Sequence, residues 1–421
     1  MNKPIQIIYF LKFFATGIIV PVLSLMLLTR GATIETISLI IGLYSVTVIA
    51  AEFPSGVFAD LYGRKNAYLL SNFLYFISYC VFFFSRSAVV LLVGMVINGL
   101  SRAFSSGSIE ALMIDQSSEQ NQPLERVTAR LSILESAGLA SGALAGGLLA
   151  EVGERFSFNL GINLFITAVI ILLILFFVHE KPREKPHHVA ASHRQLFVAQ
   201  TKESISFAKM RGTVRLLLTF CLLMGFALSA IEIYWQPALE SYQPVYWLFG
   251  AVSFAGFAFV MFGSWVAERL LRRYPTAGVG LLLLLKAPLG LGLILFSFTS
   301  SEFSIIGAYL AIYLLIGSSS VVENTLLNRI APSSHRASIL SLFSLVLQIG
   351  GVLASLGGYL VSTYSRYQNM WLLAGIFLLL FSIAAGLFRR KAEPGVFEPL
   401  IFSKESVADD SAVPADNAQQ F

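Results

Sequence analysis

Runs of about twenty or more mostly apolar residues alternate with short polar breaks along the whole chain. The apolar stretches fall at approximately 5–29, 34–58, 67–84, 88–112, 129–151, 157–179, 214–237, 243–267, 276–299, 303–326, 336–363 and 369–388. A helix rising about 1.5 Å per residue needs roughly 20 residues to cross a hydrocarbon core of about 30 Å. Lipid offers the backbone no hydrogen-bond partners, and the runs are far too long for barrel strands, so each must be a helix. The pattern predicts an all-α membrane protein with twelve transmembrane helices. The longest hydrophilic break, roughly 180–213, divides the spans six and six. The expected organisation is a six-helix bundle over 1–179, a linker over 180–213, a second bundle over 214–390 and a disordered tail over 391–421.

Composition sharpens this picture. Of 421 residues, 56% are hydrophobic and only 13% charged, against about one quarter charged in soluble domains. Too few polar residues remain to cover a water-facing surface, so lipid is the outer solvent. The first run is too long for a cleaved signal and lacks a small-residue cleavage site, so span 1 is itself the expected insertion signal. The positive charges choose the sides. Nearly all Lys and Arg fall in one set of loops and tails, while the other side holds only Arg30, Arg86, Arg155 and Arg366. The positive-inside rule then puts both termini in the cytoplasm, with the protein in the cell (cytoplasmic) membrane. The net charge of +5 is this topology signal and calls for no nucleic-acid partner. Cys80 and Cys221 lie far apart inside apolar runs, and neither they nor the histidines have metal-ligand spacing, so no metal is expected.

The two halves echo each other. A-D-L-Y-G-R-K (59–65) lies over A-E-R-L-L-R-R (267–273), each following the second span of its half, with an acid and two bases in register. S-I-E-A-L-M-I-D (108–115) lies over V-V-E-N-T-L-L-N (321–328) at the end of each fourth span. Two matches at nearly the same offset argue for duplicated six-helix units. With the stretch G-V-F-A-D-L-Y-G-R-K, carrying Gly56, Asp60, Gly63, Arg64 and Lys65, the chain resembles the major facilitator superfamily over essentially its whole length. That family's signature G-x-x-x-D-x-x-G-R-K/R matches at these five positions. Gly56 is expected to let a neighbouring helix approach, and Gly63 to allow the tight turn into span 3. The resemblance implies that Asp60 meets the N-terminus of span 11 near Ser334–Arg336, and that Arg64 pairs with Asp115. Together these residues would form a cytoplasmic latch holding the halves together when the carrier faces outward. The bland reading, Arg64 and Lys65 as topology charges alone, leaves the matching acid and the repeat unexplained.

A further stretch, S-A-G-L-A-S-G-A-L-A-G-G (136–147), is similar to the family's antiporter signature at Gly138, Gly142, Gly146 and Gly147, with Ala143 in place of its proline. Small residues four apart permit close helix crossing, and span 8 offers a matching small face at Gly250, Ser253, Ala255 and Gly256. Generic close packing is the alternative to an export signature.

Ionisable residues inside spans need a reason, since each costs a few kcal/mol. In the first half Lys12 lies about 10 Å and Arg102 about 15 Å in from the terminal side, with Glu52, Glu110 and Glu135 shallower. In the second half stand Glu232, Lys286 and Glu323. The family resemblance implies that spans 1, 4, 7 and 10 line a central cavity and that spans 3, 6, 9 and 12 face lipid. Proton-coupling candidates are therefore Arg102, Glu110, Glu135, Glu232 and Glu323. Glu110 and Glu323 are equally readable as gate ion pairs, and Glu232 as an outer-gate residue. Tyr9, Lys12, Phe13, Tyr234 and Trp235 are the substrate-cavity candidates, although aromatic stripes also serve plain packing. Lys286 is expected to snorkel or pair locally. Pro21, Pro54 and Pro288 each remove a backbone hydrogen bond and are candidate kinks.

The expected function is secondary transport, without cofactor and as a monomer. The leading expectation is proton-coupled efflux of an amphipathic small molecule or drug by alternating access. The alternatives are a symporter or facilitator for uptake of a metabolite, and a non-transporting membrane sensor or enzyme. No G-x-x-x-x-G-K-[ST] phosphate loop is present to support ATP as the energy source, and no catalytic constellation lies within the spans.

Overall fold

The computed structural model describes residues 3–106, 108–118, 124–180, 212–274, 278–330 and 336–391. Twelve helices long and apolar enough to span a membrane are found among them. They are α1 (Lys3–Thr29), α2 (Ile34–Tyr62), α3 (Arg64–Phe84), α4 (Ala88–Ser105, continued by Ser108–Ser118), α5 (Leu124–Ala150) and α6 (Ser157–Phe177). The second half supplies α7 (Gly212–Glu240), α8 (Trp247–Arg273), α9 (Gly278–Ser297), α10 (Glu302–Ile330), α11 (Arg336–Tyr364) and α12 (Asn369–Lys391). Several helices run past their apolar stretch. α3 starts at Arg64 rather than near 67, because charged residues continue a helix as readily as apolar ones once the turn is satisfied outside lipid.

The packing repeats itself every six helices. α1 packs on α5 and α6, α2 on α4, and α3 on α4 and α6; in the second half α7 packs on α11 and α12, α8 on α10, and α9 on α10 and α12. The halves meet through α2 against α11 and α5 against α8. Both termini enter from one end of the bundle, called here the terminal end, opposite the far end. The linker between α6 and α7 and the tail after α12 lie outside the described residues.

The close approaches between halves sit towards the far end. A Cβ on Gly147 would stand 2.8 Å from Gly250 Cα, and one on Gly42 would stand 2.7 Å from Ser355 Cβ. At the terminal end Asp60, Leu61 and Tyr62 are exposed, and a Cβ on Gly56 would meet nothing within 4 Å. Gly56 therefore does not bring a helix close in this conformation, contrary to the sequence expectation. The reason is that the halves converge at the other end.

Far-end loops are tied by Arg30, which is 5% exposed. Its guanidinium donates to the Phe82 carbonyl (2.9 Å), to the Phe83 carbonyl and to the Arg155 carbonyl (3.1 Å). A cation on the last carbonyls of α3 satisfies groups that the helix end leaves open. The residue is thus fixed by the three loops of the first half, which accounts for a positive charge on the sparsely charged side. Of the prolines, Pro21 breaks its helix: Val20–Val22 is a single 3-10 turn inside α1. Pro54 and Pro288 sit within uninterrupted α2 and α9.

Candidate functional site

A cavity of about 400 Å³ lies within the first six-helix bundle and is lined by α1 to α6. Its wall includes the rings of Phe13, Tyr44, Tyr75, Tyr79 and Phe82 and the polar side chains of Ser71, Asn72, Asn98, Ser101 and Thr167. Lys12 and Arg102 are the two charged residues in that lining. Lys12 donates a hydrogen bond to Ser105 Oγ and lies 5.3 Å from the Tyr68 ring centre and 5.6 Å from that of Phe13. Arg102, one turn before Ser105 on α4, is exposed although it sits within a span. Glu110 and Glu135 complete the charged surroundings of Lys12 and Arg102. Tyr9 donates to Glu110 Oε1 at 3.3 Å. The four charges form one cluster, yet among the described residues no ion pair within 4.0 Å joins them. Glu52, the third acid of this half, is exposed on α2.

Not every cavity candidate lines this space. Tyr9 is 1% exposed and packs edge-on against Phe13 at 4.9 Å behind the wall. Tyr234 and Trp235 are likewise buried, in the far-end seam and the second bundle. The Tyr234 hydroxyl bridges Ser38 Oγ of α2 (2.5 Å) and Ser362 Oγ of α11 (3.1 Å). Trp235 packs at a tilt against Tyr309 of α10, with ring centres 4.8 Å apart. Tyr313 donates to Glu232, so this carboxylate faces α10. Lys286 does not snorkel: it is 1% exposed and pairs with Glu323 at 2.8 Å, from α9 to α10. Lys286 lies on the inner side of α9, where α10 presents the carboxylate, while Leu284, Leu291 and Leu295 of the same helix are exposed.

At the candidate latch, Gly63 adopts φ +91° between α2 and α3, a region open to glycine at no steric cost. A residue not foreseen from the sequence joins it. The Glu180 carboxylate, just beyond α6, accepts from the backbone N–H of Arg64 (3.1 Å) and of Lys65 (2.8 Å). It caps the N-terminus of α3, where unpaired amides and the helix dipole favour an anion. A Cβ on Gly63 would lie 2.8 Å from Glu180 Oε2, so the glycine serves both the turn and this approach. The side chain of Asp115, the Ser334 end of the next partner helix and the Arg336 side chain lie outside the described residues. In the second repeat Glu268 pairs instead with Arg272 on its own exposed helix face.

The small stripe of α5 packs on α1. Added Cβ atoms on Gly138, Gly142 and Gly146 would lie 2.8, 2.3 and 2.2 Å from the carbonyl oxygens of Phe10, Phe14 and Ile18. Gly147 faces Gly250 of α8 in the other half.

The far-end seam also holds a polar clasp that the sequence reading missed. The broken turn of α1 leaves the Ser24 N–H and the Val20 carbonyl, an i, i−4 pair, without each other. The Gln236 amide of α7 inserts between them: its Oε1 accepts from Ser24 N (2.8 Å) and its Nε2 donates to Val20 O (2.7 Å). Pro237, which follows, has no N–H for the Ile233 carbonyl, and Ser24 Oγ supplies the donor at 2.9 Å. The second half thus bridges the broken turn of α1, and α1 returns the donor that Pro237 withholds from the Ile233 carbonyl.

Two packed, repeated six-helix bundles, a cavity with charged walls and a seam closed at one end define a membrane carrier. The chain belongs to the Major Facilitator Superfamily, whose family description matches residues 5–355 and again 241–409. It is a transporter of that family, a multi-pass membrane protein. It is 25% identical over 377 residues to the MFS-type transporter YxaM of Bacillus subtilis (strain 168), covering 88% of this chain and 91% of that protein. Quinolone resistance protein NorA of Staphylococcus aureus is 27% identical over 179 residues, 41% of this chain and 46% of that protein. The crystal structure of the nucleoside transporter NupG superposes with a TM-score of 0.74 at 16% identity, covering 92% of this chain and 98% of the other. That last likeness is one of fold.

Proposed function

We infer that the chain expels an amphipathic small molecule across the cell membrane in exchange for protons, with its termini in the cytoplasm. The observation that carries this reading is the unpaired charge cluster of Lys12, Arg102, Glu110 and Glu135 beside the first-bundle cavity. An ionisable residue within a span is costly to keep and marks a site of function, and here two carboxylates and two cations share one cluster without an ion pair within 4.0 Å among the described residues. Partial similarity to a quinolone resistance protein supports export rather than uptake. On this reading the far-end seam is the outer gate, and Asp60, Gly63, Arg64, Lys65 and Asp115 clasp the cytoplasmic end when the halves rock the other way.

The test uses proteoliposomes loaded with a pH-sensitive dye and an imposed proton gradient. Ethidium, Nile red and 8-anilinonaphthalene-1-sulfonate serve as cationic, neutral and anionic probes. Export by exchange predicts that at least one probe dissipates the gradient while moving against the proton flux. It also predicts that Glu110→Gln or Glu135→Gln abolishes the pH dependence of transport. Movement of probe and protons in the same direction would make the protein a symporter and overturn the proposal. Asp60→Asn is expected to slow turnover while leaving insertion intact.

A further inference from the structure

We propose that the first-bundle cavity takes an aromatic amphiphile bearing an anionic group, a carboxylate or sulfonate, with that group seated between Lys12 and Arg102. The inference rests on this cavity being the substrate site, and it adds the charge of the substrate. The wall carries two cations and no carboxylate, so its own electrostatics repel an organic cation. Glu110 and Glu135 are neighbours of the cations but stand outside the lining.

The cations differ in what occupies them. Lys12 donates to Ser105 and lies near the rings of Phe13 and Tyr68. Arg102 is exposed towards the cavity and forms no ion pair within 4.0 Å among the described residues. A guanidinium presents a planar fork of donors that matches a carboxylate in two parallel hydrogen bonds. The rest of the space suits an aromatic body. Tyr75 and Tyr79 lie 4.3 Å apart and Tyr79 meets Phe82 edge-on at 5.4 Å, which leaves ring faces and edges along one wall. About 400 Å³ falls within the range of small-molecule sites. Ser71, Asn72, Asn98 and Ser101 are neutral and orient polar substituents without choosing a charge.

The experiment is equilibrium binding to the purified full chain in nanodiscs at pH 7, by calorimetry, with 2-naphthoate, 2-naphthamide and 2-naphthylmethylamine. These share a ring system and differ in head-group charge. The carboxylate is expected to bind about tenfold or more tighter than the amide, the gain from one charge-assisted contact, and the amine weakest. Arg102→Gln is expected to erase the carboxylate preference and Arg102→Lys to keep part of it, with tryptophan fluorescence unfolding checking that each variant is folded. An amine binding as tightly as the carboxylate, a preference that survives both Arg102→Gln and Lys12→Gln, or no binding by any of the three overturns the proposal. No gradient is present in this assay. Failure here therefore leaves the exchange reading standing, and failure of the gradient assay leaves the charge preference standing.

Discussion

Replacing Gln236 by leucine should release the far-end seam. In the closed seam this change strips the Val20 carbonyl and the Ser24 N–H of their partners while Ser24 remains 1% exposed. A net hydrogen bond contributes about 1 kcal/mol, and leaving two buried backbone groups unpaired brings the cost to about 2–3 kcal/mol. Once the halves part at this end, water or a re-formed helical turn satisfies both groups, so the cost falls on the closed seam alone. At about 1.4 kcal/mol per factor of ten, the balance between closed and open seams should move about 30- to 150-fold towards open. Ser24→Ala, which removes the single bond to the Ile233 carbonyl, should move it about fivefold. Double electron–electron resonance between spin labels at Ser87 and Ser241, exposed far-end positions in opposite halves, reads the populations directly. Cys80 and Cys221 are replaced by serine for this purpose. A distance distribution for Gln236→Leu that superposes on the parent's would refute the assignment of the clasp.

Two further outcomes follow from pairs outside the cavity. Lys286→Met should cost about 3–5 kcal/mol of stability, because it leaves the Glu323 carboxylate without its partner, whereas Lys286→Met with Glu323→Leu should recover most of that loss. A thermal-unfolding double-mutant cycle measures both. Glu180→Ala should remove the cap on α3 at a cost of about 1–2 kcal/mol, seen as faster hydrogen exchange at Arg64 and Lys65 with the remaining spans unchanged. Unchanged exchange there would mean that the carboxylate does not hold this helix end.

The transmembrane helices were legible because lipid imposes its constraint locally: a run of apolar residues must satisfy its own backbone, whatever its neighbours do. Gly63 was legible for a similar reason, since the turn it makes is contained in a few residues. The clasp was not. Ser24 and Gln236 stand 212 residues apart, and neither carries a charge that would mark it in an apolar run. A signal was nonetheless present, in that the first span of each half carries a proline towards its far end, Pro21 and Pro237. Pro237 closes its apolar run, so by pattern alone it reads as an end rather than an opening. For Lys286 the sequence left snorkelling and local pairing open, and the structure shows the pairing. Leucines surround it on every side of span 9, so periodicity cannot say which face is lipid, and only the position of Glu323 on a neighbouring helix decides.

The same comparison separates the two halves chemically. In the second bundle the ionisable side chains within the spans are already engaged, Lys286 with Glu323 and Glu232 with Tyr313. Lys12, Arg102, Glu110 and Glu135 of the first bundle share a cluster without closing an ion pair among the described residues. A pair bonded at 2.8 Å and buried resists exchange of partners, because removing either charge strands the other. Charges left apart beside a cavity are free of that constraint. The duplicated architecture is thus symmetric in packing and asymmetric in chemistry.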